Sequence, residues 1–187
     1  MVGTKMDYAR FFHLPAVCLA ALLTHGPATA ATQGSLGSTS TGSVSIGASV
    51  PSRVRLTALT DVSFANQDPA TPASNAQNVC VWSNTSTKGY NVTASGSGAG
   101  NAFTLANGAL TVPYSVEWAA SSGQISGTAL TTGSAFTGLT STATNAACSS
   151  GAASTASLIV KMATTDLQGM QAATTYTGTL TLVVAPE

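Results

Sequence analysis

Charged side chains are scarce in this sequence, since lysine, arginine, aspartate and glutamate together make up 6% of its 187 residues. No stretch concentrates lysine or arginine into the basic stripe that nucleic acids bind, or into the polybasic patch that anionic lipids attract. The composition therefore predicts a protein with no nucleic-acid partner. Solubility has to come from the serine, threonine, asparagine and glycine that fill most of the segments between apolar runs.

Histidine is rarer still, because only His13 and His25 occur and both lie within the first thirty residues. The rest of the chain lacks the commonest general base and metal ligand. Glu117 is a candidate for one half of a glycosidase carboxylate pair, but a solvated glutamate on a strand is the more ordinary interpretation. The aspartates are scattered, without the close spacing of a calcium loop. We therefore expect no enzymatic activity, no cofactor and no metal site.

The first thirty residues have the pattern of a removable secretory signal. Lys5 and Arg10 give it a positive start, and residues 11–23 (FFHLPAVCLAALL) form its apolar core. The sequence ATA ending at Ala30 is of the small-x-small type that signal peptidase cleaves. The apolar run is shorter than the about 20 residues that a transmembrane helix needs. The alternatives are a mispredicted start, an anchored N-terminus or, through Cys18, a lipoprotein.

Cleavage after Ala30 would leave 157 residues, enough for one domain with a real core. It would also remove Cys18, so that Cys80 and Cys148 would remain as a pair. In an exported protein an even number of cysteines indicates a disulfide, with two separately buried thiols as the alternative. Closing so long a loop would stabilise the fold by about 4 kcal/mol in the chain-entropy account.

Short alternating segments predict an all-β domain of about eight strands. Residues 31–41 have no periodicity and predict a flexible lead-in. Residues 42–50 (GSVSIGASV) alternate strictly, and Pro51 ends that run. Further strands are predicted at residues 53–59, 78–83, 89–95, 102–105, 111–118 and 156–162, with one or two weak strands in 119–157 and a short helical turn in 164–173. A polar connection is expected over residues 66–78.

The closing segment, residues 175–187 (TYTGTLTLVVAPE), is the cleanest strand of the chain. One of its faces carries Tyr176, Gly178, Leu180, Leu182 and Val184. Glycine-, serine- and asparagine-rich turns between short strands are typical of a sandwich, and a tyrosine ahead of a late apolar strand is typical of the tyrosine corner of immunoglobulin-like sandwiches. This strand would then be strand F, and strand G would be missing.

A sandwich without its last strand has an open groove, which residues 42–50 of a neighbouring molecule could fill by β-augmentation. The donor face would be Val44, Ile46, Ala48 and Val50. The alternative is that residues 44–50 pair within their own chain as a first strand.

Three segments resemble, in the same order, those of colonisation-factor-type fimbrial subunits built by the chaperone-usher pathway: VSIGASVPSRVRLTAL (44–59), VPYSVEW (112–118) and TYTGTLTLVVA (175–185). More distantly the chain resembles spore-coat-U-like archaic pilins. Those pilins carry a cysteine just after the donor strand, where this chain has Arg53, and the colonisation-factor subunits generally lack a disulfide.

The resemblance implies a signal peptide (1–30), an N-terminal extension with a donor strand (31–51) and an incomplete immunoglobulin-like sandwich (52–187). It also implies an acceptor groove formed by Tyr176, Leu180, Leu182 and Val184. The implied partners are identical or related subunits, a periplasmic chaperone and an outer-membrane usher, with the assembled fimbria at the cell surface.

A different interpretation is a monomeric exported sandwich that binds glycan or protein at the cell surface. Its aromatic side chains would stack on sugar rings, although half-buried aromatics on strands are ordinarily core. The candidates are Trp82, Tyr90, Tyr114 and Trp118.

Overall fold

The computed structural model describes residues 30–187. Most of the predicted signal, including His13, Cys18 and His25, lies outside the described residues. The described chain divides into two units, residues 30–49 and Val50–Glu187, and each is described by itself.

The N-terminal unit contains one isolated β-bridge, between Thr32 and Ser43. The two backbones exchange hydrogen bonds of 2.9 and 3.0 Å. Residues 44–53 have no strand assignment, so the alternating segment predicted at 42–50 has no ladder partner among residues 30–187. Alternation predicts which side chains share a face, but a strand also needs a neighbour for its backbone groups.

The second unit contains ten strands, one short α-helix and one turn of 3-10 helix (Ala99–Asn101). The strands are β1 (Val54–Thr57), β2 (Ala73–Ser83), β3 (Gly89–Gly96), β4 (Thr104–Asn107), β5 (Leu110–Pro113), β6 (Ser115–Ala119), β7 (Thr128–Ala129), β8 (Ala135–Thr140), β9 (Ala156–Met162) and β10 (Leu180–Pro186). The helix α1 (Thr164–Gln168) connects β9 to the segment before β10. The predicted all-β class is confirmed.

The strands form a five-stranded sheet in the order β1-β2-β9-β6-β7, a three-stranded sheet in the order β10-β3-β8 and the hairpin β4-β5. Every strand pair in these sheets is antiparallel. One core cluster takes side chains from both larger sheets, including Val79 and Val81 of β2 and Tyr90 and Val92 of β3.

Several strand boundaries differ from those predicted, and three of the differences show what sets a boundary. β2 begins at Ala73 instead of residue 78, because its polar first half pairs with β9 from Ala73 opposite Met162 onwards. The strand predicted over 111–118 is divided at Tyr114, since β5 pairs with β4 whereas β6 pairs with β9. The closing strand begins at Leu180 and not at residue 175. In each case the pairing partner, which the local pattern does not contain, decides the boundary.

The cysteines Cys80 and Cys148 form the predicted disulfide, with Cα atoms 6.2 Å apart. Both pack with Ala143, and Trp82 lies half-buried against them. The loop that carries Cys148 is also held to β2, where the Thr155 hydroxyl accepts a hydrogen bond from the Val81 N–H and donates one to its carbonyl. Within residues 30–187 no helix is long and apolar enough to cross a membrane.

Candidate functional site

A groove with a volume of about 1140 Å³ opens beside β10. Residues 59–67, which follow β1, line one part of it, and residues 171–180, which lead into β10, line another. Leu158, Val160 and Met162 of β9 add apolar core side chains to the lining. The groove therefore gives access to the core from outside.

The position of β10 explains why the core is open here. One edge of β10 pairs with β3 along its whole length, from Leu180 opposite Gly96 to Pro186 opposite Tyr90. Its other edge has no strand partner in the described part of the chain. β1, the edge strand of the five-stranded sheet, comes close to β10. The groove thus combines an unpaired strand edge with accessible core side chains.

The predicted acceptor residues are mostly brought together by this arrangement. Leu180 and Leu182 are half-buried against the core and line the groove. Tyr176 is buried and also lines it, although it precedes β10 instead of belonging to it. Val184 packs half-buried against the core and is not among the lining residues. The outward-facing Val183 is exposed, as expected from the two-residue period of a strand.

Hydrogen bonds and a close approach hold the segment before β10. The Tyr176 hydroxyl accepts a hydrogen bond of 3.2 Å from the Gln171 N–H. Thr177 and Ala106 exchange two backbone hydrogen bonds of 2.8 and 2.9 Å. A Cβ on Gly178 would lie 2.9 Å from the Thr104 carbonyl oxygen, so a residue without a side chain is needed at this crossing. The start of β10 is therefore fixed in place.

Tyr114 is the polar exception in the groove lining. It is only 8% exposed, and its hydroxyl has no hydrogen-bond partner within the described chain. Burial raises the pKa of this hydroxyl. Its ring stacks on Phe103 with centroids 5.7 Å apart. An unsatisfied buried hydroxyl costs about 1–3 kcal/mol, so a groove occupant that offers an acceptor would relieve that cost. The sequence suggested that Tyr114 is a core residue or a sugar-stacking residue, and no sequence pattern indicated an unsatisfied hydroxyl.

The predicted donor residues are exposed in their own chain. Val44 is 72% exposed, Ile46 92% and Val50 83%. Ala48 is exposed as well. Leu36, which the sequence pattern did not single out, is likewise fully exposed. Large apolar side chains at this exposure are unfavourable in water and favour association with an apolar surface.

The candidate sugar-stacking aromatics are mostly inaccessible. Tyr90 and Trp118 are fully buried, and their rings meet edge to face with centroids 6.5 Å apart. The Trp118 indole N–H donates a hydrogen bond to the Tyr90 hydroxyl at 3.3 Å. Trp82 is half-buried beside the disulfide. Tyr90 and Trp118 thus link the two larger sheets instead of presenting a face to a ligand.

Glu117, the candidate catalytic carboxylate, forms an ion pair. The Lys161 ammonium lies 2.7 and 2.8 Å from its two carboxylate oxygens, and the Gly127 N–H donates to one of them at 2.9 Å. The hydrogen bond from Lys161 holds the pKa of Glu117 below its usual value. This geometry ties the loop between β6 and β7 to the sheet. Among residues 30–187 no group of three histidine, cysteine, aspartate or glutamate side chains is placed to hold a metal ion.

No protein-family model matches this chain, and a search of the curated proteins found no significant match. Function is therefore inferred from the groove, from β10 and from residues 44–50.

Proposed function

We propose that this chain is a structural subunit of a bacterial surface pilus, in which residues 44–50 of one copy insert into the groove beside β10 of the next. The observation that carries the proposal is the groove itself, where an unpaired edge of β10 adjoins accessible core side chains. The same chain carries an exposed, strictly alternating segment of matching chemistry. Such an edge favours pairing with a further strand.

The order of the strands supports an incomplete immunoglobulin-like sandwich. In that fold one sheet has the order A-B-E-D and the other contains C, F and G. The order β1-β2-β9-β6 corresponds to A-B-E-D, and the pair β3 and β10 corresponds to C and F. Strand G would lie on the free edge of β10. The hydrogen bond from the Gln171 N–H to Tyr176 has the form of a tyrosine corner.

The dimensions of the two segments are compatible. β10 spans seven residues, as do residues 44–50, so each extended strand is about 23 Å long. Burying two valines and an isoleucine contributes at most about 5 to 9 kcal/mol. Backbone hydrogen bonds along β10 add about 1 kcal/mol net each. A stable joint between subunits is therefore energetically reasonable.

Export and assembly follow from the same proposal. The signal pattern of residues 1–30 and the disulfide between Cys80 and Cys148 fit passage through an oxidising periplasm. A chaperone would cover the groove before assembly, because an open strand edge promotes aggregation. An outer-membrane usher would then deliver subunits to a fimbria that serves adhesion or biofilm formation.

The test is the assembly state of exported full-length chain on a denaturing gel, run with and without heating. We expect a ladder spaced by one subunit without heating and a monomer band after heating. Deletion of residues 42–50 should abolish the ladder, whereas deletion of the nine residues 33–41 is the matched control and should retain it.

Single substitutions separate the two faces of the donor segment. Ile46→Asp should abolish the ladder because it places a charge in the groove, and Ser45→Asp, one residue away on the other face, should not. A monomer band under all conditions would contradict the pilus proposal and favour a monomeric exported sandwich that binds glycan or protein. A ladder that survives deletion of 42–50 would show that another segment is the donor.

A further inference from the structure

Three of the four basic side chains within residues 30–187 lie at one end of the second unit. Arg55 pairs across the strands with Trp82, near the end of β2. The Arg53 N–H donates to the side-chain oxygen of Asn84, in the turn that follows β2. Lys88 closes that turn before β3. All three basic side chains are exposed, and we call them the basic end.

The acidic residue Glu187 lies beside the basic end, next to Gly89. Its N–H donates to the Gly89 carbonyl, and its carboxylate accepts a hydrogen bond from the Gly138 N–H. The fourth basic residue, Lys161, is paired with Glu117. The basic end therefore keeps an excess of positive charge.

The opposite end of the unit carries acidic residues. Asp68 lies in the turn before β2 and Asp166 in α1, which follows β9. The pairing of Ala73 with Met162 brings these two chain positions to the same end of the sheet. β2 has eleven residues, so this acidic end lies about 35 Å from the basic end.

The groove reaches the acidic end. Its lining includes Leu167 of α1 and residues 171–175, which connect α1 to β10. Tyr114 lines the same groove, and its buried hydroxyl has no hydrogen-bond partner among residues 30–187. β5, which ends directly before Tyr114, contacts α1. An occupant at this end thus meets both an unsatisfied hydroxyl and negative charge.

We propose that successive copies of this chain meet end to end, with Arg53 and Arg55 of one copy against Asp68 and Asp166 of the next. The inference rests on the proposed function, because the inserted residues 44–50 are followed at once by residues 51–53. Three residues span at most about 10 Å. When Val50 lies beside Leu180, at the α1 end of β10, Arg53 comes within reach of the acidic end.

Exposed ion pairs contribute little to stability, and salt screens them. Their effect is on the rate and orientation of association, which complementary charge increases. The contact therefore selects which end of a second copy approaches the groove, while the inserted strand holds the joint.

The experiment uses full-length chain and measures the yield of the heat-sensitive ladder at low and high salt. The double variants R53E/R55E and D68R/D166R should each reduce ladder formation at low salt by about tenfold, because like charges then face each other. Combining all four substitutions should restore the yield to within about twofold of the unaltered chain, because the charges are complementary again.

Controls separate charge from folding. R53K/R55K keeps the charge and should assemble normally, as should Ala76→Lys, which adds a charge at an exposed site in the first half of β2. The melting temperature of each variant is measured, and D68K/D166K, which also reverses both charges, replaces D68R/D166R if the latter is unstable. High salt should reduce the differences between variants.

Two results overturn the inference alone: normal ladders from both reversal variants at low salt, or no recovery in the combined variant. Absence of a ladder from the unaltered chain overturns the proposed function and this inference together.

Discussion

Residues 44–50 and β10 are both seven-residue segments with an apolar face, but they differ in burial and in backbone pairing. Each places aliphatic side chains on one face, but only residues 44–50 alternate strictly, since β10 also has Val183 and Ala185 on its other face. In β10, Leu180, Leu182 and Val184 pack half-buried against the core, and β3 pairs with the whole strand. In residues 44–50 the apolar side chains are exposed, and the backbone forms no ladder with any other described residue.

The difference shows that an alternating sequence marks a segment that can form a strand. It does not show that the strand forms. A strand forms where a neighbour satisfies its backbone groups and a core covers its apolar face. β10 has a core against one face and a strand partner along one edge, whereas residues 44–50 have neither within the part of the chain that the structure describes. β10 could provide the backbone partner that residues 44–50 lack, and residues 44–50 could pair with the free edge of β10.

The largest expected effect concerns the disulfide, which belongs to the β10-containing unit alone. Replacing Cys80 and Cys148 by serine should lower the free energy of unfolding by about 4 kcal/mol, because a long loop in the unfolded chain is no longer closed. Urea denaturation measures this. The rate at which a nonspecific protease cleaves residues 44–50 under native conditions should be the same with and without the disulfide. A slower or faster cleavage of that segment would show that the two regions are not independent.

Truncations on the two segments should differ in their effect on the unassembled chain. Leu182→Ala should lower the free energy of unfolding by about 2 kcal/mol, because it removes core packing. Ile46→Ala, which removes a fully solvated side chain, should stay within about 0.5 kcal/mol. Thermal melts of the unassembled chain test this. Equal losses at the two positions would mean that Ile46 is packed in its own chain.

The ion pair of Glu117 and Lys161 provides a pH-dependent contrast with residues 44–50, which carry no charge. Glu117→Gln should lower the free energy of unfolding by about 1 kcal/mol at neutral pH. The pKa of Glu117 is lowered in the folded state, so the pair stabilises the fold above about pH 4.5, the ordinary value of this group. That contribution should be lost as the pH falls further and the folded carboxylate becomes protonated.

Stability curves of the unaltered chain and Glu117→Gln should therefore converge in acid. A constant difference between them down to pH 2 would argue against the ion pair as its source.

The smallest expected effect is that of Tyr114→Phe. In the unassembled chain it should raise the free energy of unfolding by up to about 1 kcal/mol, because it removes an unsatisfied buried hydroxyl. In the assembled ladder it should lower the dissociation temperature if the inserted strand bonds to that hydroxyl. Tyr176→Phe is the matched control, because the Tyr176 hydroxyl has a hydrogen-bond partner within its own chain. The melting temperatures of both variants are compared before and after assembly. A Tyr114→Phe variant that is less stable before assembly would contradict this assignment.

Much of the fold could be predicted because the relevant signals are local. β9 begins and ends where its apolar run does, and α1 lies within the predicted helical turn. The polar first half of β2 could not be recognised, because pairing with β9 makes residues 73–77 a strand. For the same reason the break at Tyr114 depends on which sheet each half joins.

The sequence by itself determined the all-β class, the cysteine pair and the two segments with an apolar face, because composition and a two-residue period act through neighbouring residues. Only the tertiary structure decided that the core is accessible through a groove beside β10. It also decided that, within the described residues, one edge of β10 has no strand partner and the hydroxyl of Tyr114, a residue of the groove lining, has no hydrogen-bond partner. Those features depend on which strands become neighbours, and that choice is made between residues far apart in the chain.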